Sequence, residues 1–162
     1  MSQALIVERM RPDGYVLLNG HHRWEAALRM GVRRVPIRIV NLTQAADIQQ
    51  DLKNAKHQKR VALDLDEVVF LSDRAEEAEK EPSFPLNRLF SERLRPGVPA
   101  LLHHLKTIGY DIWGYTAKYY SMEYIRRLFK CYRVQVDGVV TGAGRRGLAN
   151  ADEKKKLEQG EH

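Results

Sequence analysis

The sequence is short of cysteine and of long apolar runs, and each shortage excludes something. Its one cysteine, Cys131, rules out an internal disulfide and any cysteine zinc cluster. No apolar run is long enough to cross a bilayer and no signal-peptide pattern is present, so the expected location is the cytoplasm, with no membrane partner. Acids are the minority charge: 27 Lys and Arg against 21 Asp and Glu leave a net charge of +6, which attracts phosphate-bearing ligands. That surplus is spread along the chain and is densest in the tail Glu153-Lys154-Lys155-Lys156, the pattern of a solvated surface more than of a nucleic-acid groove. At 43% hydrophobic residues, 162 positions suffice for one domain with a smaller module attached.

The stretch that organises the chain is Val61-Ala62-Leu63-Asp64-Leu65-Asp66-Glu67-Val68-Val69-Phe70. Its apolar run predicts a buried parallel strand of the α/β kind, with two carboxylates near the carboxyl end, where open α/β sheets bind ligands. An Asp-x-Asp there is a candidate magnesium and phosphoryl site. Asp64 can attack phosphorus to form an aspartyl-phosphate, Asp66 can deliver and remove a proton, and Mg²⁺ would screen their repulsion. The plain alternative is a strand that ends in solvated acids.

Before that stretch, Leu5-Ile6-Val7, the turn residues Arg11-Pro12-Asp13-Gly14 and Tyr15-Val16-Leu17-Leu18 predict strand, turn, strand. Asn19-Gly20 breaks the pattern and a helix follows from His21 to Met30, with Trp24, Ala27 and Leu28 at helical spacing. Gly31 stops it, and Val35 to Val40 is another strand. Backbone N–H groups at a helix start favour anions and Arg23 can fork onto a phosphate, so Gly20, His21, His22 and Arg23 are candidate phosphate-binding residues. A purely structural turn is the competing reading. His21 and His22 diverge too far on a helix to share a metal. Thr43 to Lys53 predicts an amphipathic linker helix with Thr43 as its cap.

After Phe70, the stretch from Leu71 to Arg95 is charged and broken by Pro82 and Pro85, with a turn of helix expected at Ala75 to Lys80. A helix then runs through Leu101, Leu102, Leu105 and Ile108 with one buried face, and Tyr110 to Ala117 is a strand with Thr116 at its end. Ser121 caps a helix with Tyr124, Ile125, Leu128 and Phe129 inward, and Val134 to Gly142 is a third strand. Strand, helix, strand, helix, strand implies right-handed crossovers and a parallel sheet.

Two resemblances follow. Asp13 to Ala27, closed by Gly31 and Val35-Pro36-Ile37, resembles the core of the ParB/sulfiredoxin-like domain, whose Gly-x-x-Arg turn holds nucleotide phosphates; the resemblance maps this role to Gly20, His21, His22 and Arg23. His21 stands where sulfiredoxins carry their catalytic cysteine and partition proteins a glutamate, so sulfinic-acid repair is not expected. The second segment is similar to the haloacid dehalogenase superfamily of phosphotransferases, through Asp64-Leu65-Asp66-Glu67-Val68 and Tyr115-Thr116-Ala117 in order. Leu94-Arg95-Pro96-Gly97-Val98 looks like the phosphatases that act on the tail of RNA polymerase. This resemblance implies Asp64 as nucleophile and Mg²⁺ ligand, Asp66 as acid/base whose main-chain carbonyl also touches Mg²⁺, and Thr116 as the hydroxyl on a phosphate oxygen. Arg95, Tyr119 and Tyr120 would line the mouth or simply pack. The family's third motif has no clear counterpart, although Arg145 or Arg146 can stand in for its cation, and no fourth strand is recognisable.

The expected architecture is therefore α/β: a partial ParB/sulfiredoxin-like α+β module over residues 1–43, a linker helix over 44–60, a minimal haloacid-dehalogenase-like parallel sheet over 61–148, and an unstructured charged tail over 149–162. The expected function is Mg²⁺-dependent transfer of a phosphoryl group from a phosphomonoester, a phosphorylated small molecule or nucleotide. The alternative is a catalytically degenerate nucleotide- or nucleic-acid-binding protein.

Overall fold

The computed structural model describes residues 3–10, 12–72 and 77–143. Arg145, Arg146 and the tail over 149–162 lie outside them, as does part of the Ala75 to Lys80 turn, whose described residues are not helical. Two three-stranded sheets form, the second entirely parallel, giving a mixed α/β architecture.

In the first sheet, β1 (Leu5–Arg9) lies between β2 (Tyr15–Asn19) and β3 (Ile37–Ile39), antiparallel to one and parallel to the other. Helix α1 (His21–Arg29) makes the crossover to β3. Its start requires glycine: Gly20 has φ +100°, and a Cβ there would stand 2.6 Å from Leu5 Cδ2. Alternation along the strands gives the sheet two apolar faces. Leu18, Val40 and Leu42 gather with Ile6, Val16 and Tyr119 on the side toward the second half of the chain. On the other side Ala27 is buried, whereas Trp24 and Leu28 are exposed although they share its helical spacing. A nine-residue helix covers only part of that face.

Helix α2 (Ala45–Lys53) begins at Gln44, whose N–H donates to Asp47 Oδ2 at 2.7 Å. Thr43, expected as the cap, is instead fully buried. Its hydroxyl donates to the Val139 carbonyl (2.9 Å) and accepts from the Thr141 N–H (2.9 Å), which ties the first half of the chain to the second sheet.

That second sheet has the order β4 (Lys59–Asp64), β5 (Tyr110–Thr116), β6 (Gly138–Thr141), with α3 (Val98–Thr107) and α4 (Met122–Cys131) in its crossovers. Leu65, Val69, Phe70, Leu94, Leu102 and Ile112 share one core with Ile125, Leu128, Phe129 and Val139. The strand expected over Val61–Phe70 ends at Asp64, and it is not buried: among the described residues β4 is hydrogen-bonded by β5 alone, and Ala62 is exposed. The third strand is likewise shorter than expected, since Val134 and Val136 are buried from a loop. In α3, Leu102 is buried but Leu101 is exposed, as is Ile108 just past the helix end, because only one stripe of the helix meets the sheet. Ser121 does start α4, yet its hydroxyl accepts the N–H of Asn41, a bond across the chain and not a local cap.

The amino end of the parallel sheet is held by Asp111, which is fully buried at the start of β5. Its Oδ2 accepts the N–H groups of Lys56 (3.1 Å) and His57 (3.2 Å), and His57 Nδ1 lies 2.7 Å from Oδ1. Burial alone would raise the carboxyl's pKa, but the His57 and Lys56 contacts outweigh it and hold it below the ordinary 3.8. A carboxyl depressed in the folded state contributes stability that is complete above its unfolded value and is lost as pH falls through the folded one. Asp111→Asn is accordingly expected to cost about 2–3 kcal/mol at pH 7. The gap between wild type and variant should shrink at pH 3, as measured by urea denaturation at both pH values.

Candidate functional site

The two acids of the organising stretch sit where the backbone stops being a strand. After Asp64 the chain winds into one wide helical turn over Leu65–Val69, closed by the Phe70 N–H donating to the Leu65 carbonyl at 2.8 Å, five residues back. Leu65 and Val69 drop into the core, at 1% and 0% exposure, and so anchor the turn from beneath. Asp64 Oδ1 accepts the N–H groups of Asp66 (2.9 Å) and Glu67 (3.2 Å), which fixes that carboxylate at the turn's start. The chain then pairs with the segment before α3: the Leu71 N–H donates to the Arg93 carbonyl and the Arg95 N–H to that of Val69.

The turn depends on Gly114 in β5. A Cβ at that position would lie 2.8 Å from Leu65 Cδ2, so the neighbouring strand must be bare for Leu65 to seat between the two acids.

The end of β5 supplies the other half of the site. Thr116 is fully buried and its hydroxyl donates to Asp66 Oδ2 at 2.7 Å. Thr116 Oγ1 in turn accepts the Lys118 N–H (3.0 Å), and the Lys118 ammonium stands 3.1 Å from Asp66 Oδ1. That oxygen is buried and makes no hydrogen bond by geometry, so the ammonium faces it as a charge. The Lys118 carbonyl accepts the Gly142 N–H (3.1 Å), which closes the loop onto the end of β6. Asp64, Asp66 and Thr116 are thus assembled at the carboxyl end of a parallel sheet. In this arrangement the Thr116 hydroxyl orients Asp66. Lys118 is the residue that sequence reasoning missed; the signal was a lysine two places after Thr116 in Tyr115-Thr116-Ala117-Lys118, in the strand-end loop.

Two carboxylates suit a hard dication that keeps waters and takes substrate oxygens as further ligands, as Mg²⁺ does. Asp64 and Asp66 are the residues that would hold it. Among the described residues no group of three or more His, Cys, Asp or Glu gathers around any point.

The other predicted anion site is placed differently. His21 and His22 are exposed on the first turn of α1. Arg23 turns back: its Nη1 donates to the carbonyls of Gln3 and Ala4, the latter at 3.1 Å, and so ties α1 to the start of β1. The Gly20 turn is built around this contact, since a Cβ at Gly20 would meet Arg23 Nη2 at 3.0 Å.

The family model described as the ParB N-terminal domain matches residues 1–68. The first segment is ParB-like, as its residues predict. The match covers less than half of the chain and runs on past α2 and β4 as far as Asp66 and Val68. No curated protein and no solved structure matches the chain. The haloacid-dehalogenase resemblance of the second segment draws no support from these comparisons. Among the described residues no helix is long and apolar enough to cross a membrane.

Gly114→Ala tests the seating of the turn. It is expected to destabilise the fold by about 1–3 kcal/mol through overpacking against Leu65. It should also break the Thr116–Asp66 contact, read as a lowered melting temperature and as a changed Thr116 resonance in NMR spectra.

Proposed function

We propose that the chain is a phosphoryl-transfer enzyme of the haloacid dehalogenase type, acting on phosphomonoesters with Mg²⁺. The observation that carries this reading is the convergence of Asp64, Asp66, Thr116 and Lys118 at the carboxyl end of the parallel sheet. Mg²⁺, when bound, would offset the negative charge gathered by two carboxylates and a phosphate.

The residues divide the work. The Asp64 carboxylate, fixed by two N–H bonds on one oxygen, attacks phosphorus with the other; the bond from phosphorus to the leaving oxygen breaks and an aspartyl-phosphate forms. When the phosphate draws Lys118 away, Asp66 takes up a proton from water and, held by Thr116, passes it to that leaving oxygen. A water then loses a proton to Asp66 and attacks phosphorus, which releases phosphate and regenerates Asp64. Lys118, with a side chain 61% exposed, is free to swing from Asp66 to a phosphate oxygen. It supplies from the loop after β5 the cation that the resemblance assigns to Arg145 or Arg146.

A second reading, a nucleotide- or nucleic-acid-binding protein without catalysis, is favoured by one observation: the ParB N-terminal match is compatible with nucleic-acid binding. It predicts salt-dependent affinity for DNA with no turnover.

Turnover of p-nitrophenyl phosphate separates the two. Asp64→Asn should abolish it, Asp66→Asn should lower kcat by about 10²- to 10⁴-fold, and Lys118→Met by about 10²-fold. EDTA should stop the wild type, and calorimetric Mg²⁺ affinity should fall in Asp64→Asn. A wild type that is inactive across several monoesters and divalent metals would defeat the enzymatic reading.

A further inference from the structure

Beside the acids lies a cleft of about 460 Å³ between the two halves of the chain, within the ~300–1,000 Å³ typical of ligand sites. One wall is the end of β3 with Arg38; the other combines the segment from Arg88 to Glu92 with the loop after β5. This is the same loop that brings Thr116 and Lys118 to Asp66, and it goes on to present Tyr119 and Tyr120 to the cleft. Tyr120 also stands edge-on to Phe70, at 6.2 Å between ring centres, and Phe70 closes the turn that carries Asp66. Cleft and acids therefore share the loop after β5, and Asp66 lies near enough to Tyr120 for its charge to act on the phenol.

The lining selects a chemistry. Tyr120 and Tyr124 stack in parallel at 5.7 Å and Phe90 tilts against Tyr124 at 5.2 Å, which makes an aromatic wall. Behind it the Glu92 carboxylate is fixed by hydroxyls: Tyr120 and Ser91 donate to Oε1, each at 2.9 Å, and Tyr124 donates to Oε2. Burial, followed by the charges of Glu92 and Asp66, pushes the Tyr120 phenol far above its ordinary range, so it remains a donor. At the rim, Arg38 has no hydrogen-bond or ion-pair partner among the described residues, and Arg88 rests over the Phe84 ring at 5.2 Å. Two guanidinium groups against one carboxylate leave the cleft cationic. Aromatic side chains suit a planar base, and two rim arginines suit an anion other than the one at Asp64.

Resting on the phosphoryl-transfer reading, we propose that the cleft binds the leaving group, and that this group is a nucleotide carrying a second phosphate beyond the one transferred. Two sources share that chemistry: a free nucleoside bisphosphate and the phosphorylated end of a single strand.

The test uses the full chain as Asp64→Asn, so that nothing turns over, with calorimetry on inorganic phosphate, adenosine 3′,5′-bisphosphate and a 5′-phosphorylated tetranucleotide. The nucleotide probes should bind at least tenfold more tightly than inorganic phosphate, and Arg38→Ala or Arg88→Ala should each cut that preference by about tenfold. Both side chains are exposed, so the variants are expected to keep the wild-type circular dichroism. Tighter binding of the tetranucleotide than of the bisphosphate identifies a strand end as the source; the reverse identifies the free nucleotide. No preference over inorganic phosphate, or a preference that survives both arginine variants, overturns the proposal. If p-nitrophenyl phosphate is turned over but no nucleotide preference exists, the cleft assignment alone fails. If nucleotides bind through Arg38 and Arg88 but nothing is ever hydrolysed, the phosphoryl-transfer reading alone fails.

Discussion

The candidate site depends on a single change of backbone course, the one that turns β4 into a helical turn at Asp64. A strand that simply continued would send Asp64 and Asp66 to the same face two residues apart, as equals. The wide turn makes them unequal. Asp64 accepts N–H groups at the start of the turn, where the exposed backbone dipoles favour its charge, while Asp66 is carried sideways to Thr116. The turn survives because Leu65 and Val69 are sunk into the core, and Leu65 fits only because Gly114 presents no side chain to it. A packing constraint in the neighbouring strand thus sets the geometry of the acids.

The first half of the chain is fastened to this site and not merely adjacent to it. Asn41 and Thr43, shortly after β3, bond to four places on the second half: the Ser121 hydroxyl, the Met122 N–H, the Glu123 carboxylate, and β6 through Val139 and Thr141. One helix later, both carboxylate oxygens of Asp51 in α2 accept from Arg126 Nη2 of α4, at 2.9 and 2.7 Å. Ser121 and Lys118 belong to one loop, so the ParB-like half is coupled to the loop that positions Thr116 and Lys118.

The periodic signals translated well into elements. The β1–β2 hairpin, α1 after Gly20, the α2 linker helix and the β4, β5 and β6 strands with their crossover helices all form in the expected order, although β4 stops at Asp64 and β6 begins only at Gly138. Periodicity names the residues that share a face, but not whether another layer covers that face. Hence Trp24, Leu28, Leu101 and Ile108 are exposed despite their spacing, and β4 is an edge where a buried strand was expected. Thr43 has the composition of a cap; only the approach of β6, almost a hundred residues later, gives it a different task. Lys118 is illegible in the sequence for a similar reason: a lysine after a strand ordinarily points to water, and its partner is 52 residues earlier in the chain.

The Lys118–Asp66 pair is a poor stabilising device, which bears on what it is for. Its carboxylate is mostly shielded, at 18% exposure, while the ammonium end is largely in water, and such half-open pairs contribute only about 0–1 kcal/mol. The Thr116 bond, by contrast, is fully buried on the donor side and holds Asp66 whether or not the lysine is in place. A carboxylate fixed by a neutral hydroxyl, with a loosely held cation beside it, can give up that cation to an arriving phosphate without losing its own position. In the proposed reaction that exchange is what is required: the charge moves to the substrate, and Asp66 stays aligned to carry the proton.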